Sequence, residues 1–388
     1  MSRMKKTSAS KKTRTPAARA PGQKVSLKFL ADYLGLSPAT LSLVMNRSAV
    51  ADSIPKATQD QIFAAAEKFN YRPNFMARSL RTQRSFTIGV IVPEISEGYE
   101  TLVLSGIEEH LLREGYFYFV ASHHHRPDLI DEYPRLLLDR SVEGLIAVDT
   151  PWHHDLSIPV VTVSGHNEVD KVPNPATAIV TNIVTNIVLD HRRAAELALE
   201  HLFKLGHRRI AFIKGQEFSS DTEARWDAIV QAAAQFGLAI YPKLTTQLQG
   251  EIPSPDLGYR VTRRLLAKHE PFSAIFAFND ISAIGAIRAL REKGLRVPED
   301  VSVVGFDDIQ SAAYQNPGLT TVRQPLSKMG KIAAETVLRR IGRNGQEHNA
   351  DHPKQITVEP ELVVRESTCK ASQPDGAKSR AAENVLDR

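Results

Sequence analysis

The stretch SLKFLADYLGLSPATLSLVMN (Ser26–Asn46) is followed, after a short spacer, by TQDQIFAAAEKFNYRPNFMARSLRTQR (Thr58–Arg84). Ser26 is placed to cap a first helix in which Leu27, Leu30, Ala31 and Leu34 recur at helical spacing. Gly35, tolerant of the left-handed conformation, ends it. Ser37 caps a second helix with Pro38 at its first position, where a missing N–H costs nothing. Leu41, Val44 and Met45 share one face of that helix, and Pro38, Ala39, Ser42, Leu43 and Asn46 occupy the other. A third helix, Thr58 to Phe69, carries Ile62, Ala65, Ala66 and Phe69 on a stripe that can close a small core. Helix, glycine turn, helix is the geometry that lays a second helix in a DNA major groove, although any helical hairpin shares the pattern.

Pro73 stops the third helix, and Asn74 can cap a short one running through Leu80. That segment holds Arg78, Arg81 and Arg84 but few apolar residues, so it needs a partner to order it. Here the pattern becomes specific. Tyr71-Arg72-Pro73-Asn74 and Ala77-Arg78-Ser79-Leu80 resemble the junction and hinge helix of the lactose-repressor (LacI/GalR) family of bacterial transcription regulators. The resemblance implies DNA contacts from Ser26, Lys28, Ser37, Pro38, Ala39, Thr40, Ser42, Leu43 and Asn46 in the head. It implies others from Asn74, Ala77, Arg78 and Leu80 in the hinge, with Leu80 wedged into the minor groove. The chain departs from the family at Pro38, Ala39 and Leu43, where a polar or basic side chain is common. Apolar side chains there cannot make bidentate base contacts, which leaves thymine methyl groups and DNA deformability to be read.

Charge is unevenly placed. Residues 1–84 hold 16 Lys/Arg against 4 Asp/Glu, a net of +12, so a chain of total charge +5 leaves −7 for the remaining 304 residues. A basic head on an acidic body implies a polyanion partner for the head alone. Residues 1–24 contain eight Lys/Arg and no acid, and read as a disordered basic arm. With no apolar segment behind it, this N-terminus does not read as a secretory signal, and no apolar run is long enough to span a membrane. The single cysteine, Cys369, excludes an intramolecular disulfide and fits a cytoplasmic location.

After Arg84 apolar runs alternate with helical periods. Thr87–Val92 reads as a strand covered on both faces, followed by a helix Leu102–Glu114 and strands Phe117–Ala121, Leu145–Val148 and Pro159–Val163. A second set is expected from near Val180. It ends with a helix Leu326–Ile341 and one last strand Ile356–Val364. The strings Gly206-His207-Arg208-Arg209-Ile210, Phe278-Asn279-Asp280 and Val297 through Asp308 extend the family resemblance through residues 25–366, as does Pro317 through Pro325. The fold expected is therefore a small all-α helix-turn-helix head plus an α/β core of two doubly wound lobes resembling a periplasmic binding protein. By that analogy the lobes exchange chain three times, near Ser164, Thr321 and Asp351. The domain map is a disordered arm 1–24, head 25–73, hinge and linker 74–84, two-lobed effector-binding and dimerisation domain 85–366, and disordered tail 367–388.

A cleft between such lobes takes a ligand at the carboxyl ends of the strands. The family's effector positions fall on Arg225, Asn279 and Asp307, with Tyr99 a looser match. Asp307 can accept two hydroxyl hydrogen bonds and Arg225 offers a fork of donors. Asn279 can equally be a helix cap. Ala228 and Ile229 replace the usual Gly and aromatic after the Arg, and LQGEIPSP (248–255) lacks the ring that stacks on a sugar, so the ligand class stays open. The runs His123-His124-His125 and His153-His154 read as loop or cleft lining rather than a metal site, no cofactor is expected, and catalytic strings are absent. The reading is a homodimeric, effector-responsive repressor of a pseudo-palindromic double-stranded operator, with a sugar among the candidate effectors. The alternative is a solute-binding protein with a degenerate head; an enzyme ranks last.

Overall fold

Helices α1 (Leu27–Leu34), α2 (Pro38–Met45) and α3 (Lys56–Lys68) build the head. The computed structural model describes residues 25–46, 49–71, 79, 84–165, 184–250, 253–342 and 353–371, and divides into units Met1–Ser85 and Phe86–Arg388. The local signals act as read. Ser26 Oγ accepts the Phe29 N–H at 3.1 Å, Ser37 Oγ accepts the Thr40 N–H at 3.1 Å, and Gly35 adopts φ 66°. α3 starts at Lys56, directly after Pro55, two residues before the expected Thr58. Leu30, Leu41 and Ile62 are fully buried and meet Val44, Ala65 and Ala66 in the head's own core. So small a core gives a thin stability margin. The hinge residues Asn74, Ala77, Arg78 and Leu80 and the arm 1–24 lie outside the described residues.

In the second unit β1 (Thr87–Val92), α4 (Tyr99–Arg113), β2 (Phe117–Ser122), α5 (Pro127–Asp139), β3 (Gly144–Val148), β4 (Val160–Val163) and β5 (Thr185–Leu189) form the first lobe. The second holds α6 (His191–Lys204), β6 (Ile210–Lys214), α7 (Asp221–Gln235), β7 (Thr245–Gln247), α8 (Pro255–Leu266) and β8 (Ala274–Ala277). It continues with α9 (Asp280–Glu292), β9 (Ser302–Asp307), α10 (Gln310–Ala313) and β10 (Thr320–Arg323). Next come α11 (Leu326–Ile341), β11 (Gln355–Val358) and β12 (Glu361–Val363). The strand orders are β2-β1-β3-β4-β5-β11 and β7-β6-β8-β9-β10-β12, the same winding twice. All pairs are parallel except β12 on β10. Every residue of β1 is buried, as its unbroken apolar run requires.

Three sequence expectations change here. The strand after Val180 does not open the second lobe: β5 pairs with β4 and belongs to the first sheet. The first exchange therefore lies at Asp190, which caps α6, and not at Ser164. The expected last strand is two strands, β11 in the first sheet and β12 in the second. Pro360 lies between them, and a residue without an N–H breaks the ladder. The third exchange is thus at Glu359–Pro360 rather than Asp351; the second, at Gln324–Pro325, falls close to Thr321. Nor does the tail begin at 367. Ser367 is fully buried, its Oγ accepting the Thr320 N–H at 2.8 Å and donating to Val303 O at 2.6 Å. Cys369 N–H donates to Ser302 Oγ at 3.1 Å.

Each lobe also fixes one helix pair through facing glycines. A Cβ on Gly106 of α4 would collide with the Ser327 carbonyl of α11, and one on Gly330 with the Val103 carbonyl. Gly258 of α8 and Gly285 of α9 do the same against Ser282 and Pro255. Backbones held this close leave α4 and α9 little freedom to slide. Both helices begin at the cleft.

Candidate functional site

On α2 the apolar residues split as the 3.6 period dictates. Leu41 and Val44 are buried, while Pro38 and Ala39 are exposed and Leu43 is half-buried. The polar members are tied locally. Ser37 Oγ and Thr40 Oγ1 share a hydrogen bond at 2.8 Å, and Asn46 Nδ2 donates to Ser42 O at 2.7 Å and Ser42 Oγ at 3.2 Å. Ser26 is held by its cap and Lys28 is exposed. α2 carries no ionisable side chain, so it presents methyl, methylene and ring surface with hydroxyls at its start.

In the core, strands of both sheets end at a cleft of about 490 Å³ of empty space, part of it open to solvent. Tyr99, Arg225, Asn279 and Asp307, scattered over 209 positions of sequence, all line it. Tyr99, on the first turn of α4, donates its hydroxyl proton to Ser164 Oγ at 2.7 Å. The Arg225 guanidinium lies between the rings of Phe278 and Phe306, 4.3 and 3.7 Å from their centroids. It donates to Phe278 O at 2.5 Å and Asp221 Oδ2 at 3.1 Å. Asn279 serves both roles weighed for it: its Oδ1 accepts the Ser282 N–H at 2.9 Å in a capping box, and it faces the cleft.

Asp307 ends β9 with φ 107° and accepts from Gln324 Nε2 at 2.6 Å. Its neighbour Asp308 turns away to Arg323 at 2.7 Å and Arg365 at 2.6 Å, so the two carboxylates do not share a site. Behind them buried Asp280 accepts from Ile309 N–H and Thr321 Oγ1 at 2.9 and 2.6 Å. Burial, reinforced by Asp307, pushes its carboxyl well above the usual range.

Reasoning from sequence missed most of the acidic lining. Glu94, Glu100, Asp149 and Asp221 join Asp307 there, with Gln216, Phe218 and His125. Most sit just beyond a strand's carboxyl end: Glu94 after β1, His125 after β2, Asp149 after β3, Gln216 after β6. That position is the signal that could have found them. Burial pushes Glu100 up to about 8, with Asp149, Glu94 and Asp307 adding to it. Burial likewise raises Asp307 to about 7, although Arg225 pulls it down, and raises Asp149 to about 6, with Asp221 adding to it.

The lobes meet across this cleft. The Ser220 N–H of the second lobe donates to Asp149 Oδ1 of the first at 3.0 Å. The Ser220 hydroxyl contacts both Asp149 Oδ1 and the Ser164 carbonyl. His125 stacks on Phe218, ring centroids 3.9 Å apart, and faces Glu94 at 3.2 Å. His123 is buried instead: Nδ1 accepts the His125 N–H at 3.0 Å, leaving Nε2 to donate to Thr150 Oγ1 at 3.1 Å. Burial holds it near 4 and therefore neutral. His153, His154 and Asp131 bring one ligand atom each within 4.8 Å of one another, away from the cleft lining.

A family model described as a periplasmic binding protein-like domain matches residues 199–368. The HTH-type transcriptional repressor PurR of Haemophilus influenzae (strain PittEE) is 31% identical over 343 residues, covering 88% of this chain and 98% of that protein. PurR of Pasteurella multocida (strain Pm70) is 30% identical over 351 residues with the same coverage. Among solved structures, the lac repressor dimer bound to operator and the anti-inducer ONPF aligns with a TM-score of 0.75 at 24% identity. That alignment covers 89% of this chain and 100% of the other. A complex of the transcriptional regulator CelR with cellobiose aligns at 0.60 and 25% identity, with coverage of 89% and 100%.

Proposed function

The chain belongs to the lactose-repressor (LacI/GalR) family of DNA-binding transcription repressors, and from that premise we propose that a small polar ligand, held between the two lobes, sets its affinity for an operator. The observation that carries this reading is the cleft. Tyr99, Arg225, Asn279 and Asp307 converge there from both lobes, and the Asp149–Ser220 contact closes across it. A ligand changes DNA affinity only through unequal affinity for two lobe arrangements, typically worth ~1–3 kcal/mol. Groups shared between lobes supply that inequality. The cellobiose bound in the CelR complex makes a sugar one candidate class.

The DNA-bound form is a homodimer on a pseudo-palindrome, two copies of α2 spaced by a fixed turn of the duplex. Phe117 and Phe119 of β2 and Leu112 of α4 are exposed on the first lobe and offer apolar surface for pairing. Within each half-site Ala39 and Leu43 contact thymine methyls. Ser37, Thr40, Ser42 and Asn46 are left to reach phosphates or bases once their local bonds exchange. At the dyad the hinge, through Leu80, inserts into the minor groove with Asn74, Ala77 and Arg78 against the backbone. Sequencing genomic fragments retained by the purified chain, then footprinting them, tests the reading. Two-fold protected sites are expected, and Leu80→Ala weakens them with the ligand site unaltered. Single, non-palindromic half-sites would overturn it.

A further inference from the structure

The cleft gathers more acidic side chains than its own cations can pair. Five carboxylates line it against one guanidinium and one imidazole. Arg225 is already committed to Asp221 and to the Phe278 carbonyl. Asp149 is met by Ser220 and Asp307 by Gln324. Glu94 and Glu100 remain, only 5% and 7% exposed. Glu94 Oε1 has no hydrogen-bond partner among the described residues, and its other oxygen has only His125. Gln216 and Arg225 also line the cleft, and Gln216 Nε2 and Arg225 Nε have no hydrogen-bond partner among those residues. A buried carboxylate oxygen left unmet is costly, and neighbouring acids in a low-dielectric pocket increase that cost. An anionic ligand would add to it and a neutral hydroxyl would meet one oxygen, whereas a cation meets that oxygen and also favours the ionised form of neighbouring Glu100.

Resting on the reading of this cleft as the effector site, we infer that its ligand is a small hydroxylated amine whose ammonium group sits against Glu94 and Glu100. The unmet donors of Gln216 and Arg225 take its hydroxyl oxygens. Phe218, 39% exposed and braced by His125, offers a ring face to the cation or to a C–H edge. The aromatic absent from residues 248–255 is thus supplied from the loop after β6.

Calorimetric titration of the full chain with matched pairs tests this: D-glucosamine against D-glucose and N-acetylglucosamine, and putrescine against 1,4-butanediol. The amine of a pair binds at least about tenfold more tightly than its uncharged partners, the difference one charge-assisted hydrogen bond makes. Glu94→Gln, nearly isosteric, removes that preference; Glu100→Gln provides a second variant should the first fold poorly. Uncharged partners binding as well as amines, or no amine binding, overturns the inference. The underlying reading fails separately. An amine that binds in the cleft yet leaves affinity for a footprinted operator unchanged sinks the effector role and leaves the charge preference standing. A neutral sugar that binds and shifts operator affinity does the reverse.

Discussion

The second helix of the head and the cleft of the core are built from opposite materials. α2 offers Pro38, Ala39 and Leu43, has no ionisable group, and ties its polar side chains to one another. The cleft gathers five carboxylates, four of them buried, around a single guanidinium. The difference matches the partners proposed. A long polyanion is attracted by charge spread over a whole segment, and the +12 of residues 1–84 provides it without help from α2. A small ligand has no such length, so a few charges must act where water cannot screen them. Affinity and selectivity are therefore separated in the head and combined in the cleft.

The sharpest way to break the comparison is to remove one core from under its surface. Leu41→Ala, at a fully buried position in the head, should cost ~3 kcal/mol and abolish operator binding. The thermal transition of residues 86–371 should stay where it was. If the core melted earlier too, the two units would not be separate. A comparable loss, again ~3 kcal/mol, is expected in the core for Arg225→Met, which leaves Asp221 without its guanidinium partner. Denaturant unfolding followed at Trp226, one residue along the same helix, reads it directly.

The pH dependence is smaller and has a definite sign. Glu100 titrates near 8 when folded, well above its usual range, so its contribution to stability is present at low pH and lost as pH rises towards 8. Buried His123 acts oppositely, but only below about pH 7, where unfolded imidazoles take up protons. Between pH 7 and 8 the core should lose ~1 kcal/mol, and Glu100→Gln should flatten that slope. An unchanged slope in the variant would remove Glu100 from the buried acidic set. Smallest of all is the thymine methyl effect. Replacing thymine by uracil under Ala39 or Leu43 should cost ~0.8 kcal/mol per methyl, roughly fourfold in affinity. If no substitution under α2 weakens binding, the head reads its site some other way.

How much of this was legible depended on range. The head was legible because its signals are local: Ser26, Gly35, Ser37 and Pro38 each act within four residues. The strands were legible as apolar runs. Their assignment to sheets was not, since β5 and β11 look alike in sequence whichever lobe they join, and only pairing in space decides it. In the cleft the family pattern placed Arg225, Asn279 and Asp307. Glu94, Glu100 and Asp149 went unread because nothing about an acid in a loop or a first helical turn says it will face a cleft. Counting residues beyond each strand end would have exposed Glu94 and Asp149. Phe218 and Asp221 lie farther along, brought in by the turn into α7.

The most direct test of the account joins its two halves. Fluorescence anisotropy of a labelled, footprinted operator gives its affinity for the full chain, with and without a saturating small molecule shown by calorimetry to bind the core. The wild type and Asp307→Asn are compared. The account predicts that the wild-type affinity changes by at least about fivefold, the low end of ordinary coupling, while Asp307→Asn binds the operator within about twofold of wild type and no longer responds. A variant that responds as the wild type does, or a wild type whose operator affinity ignores its ligand, would contradict it.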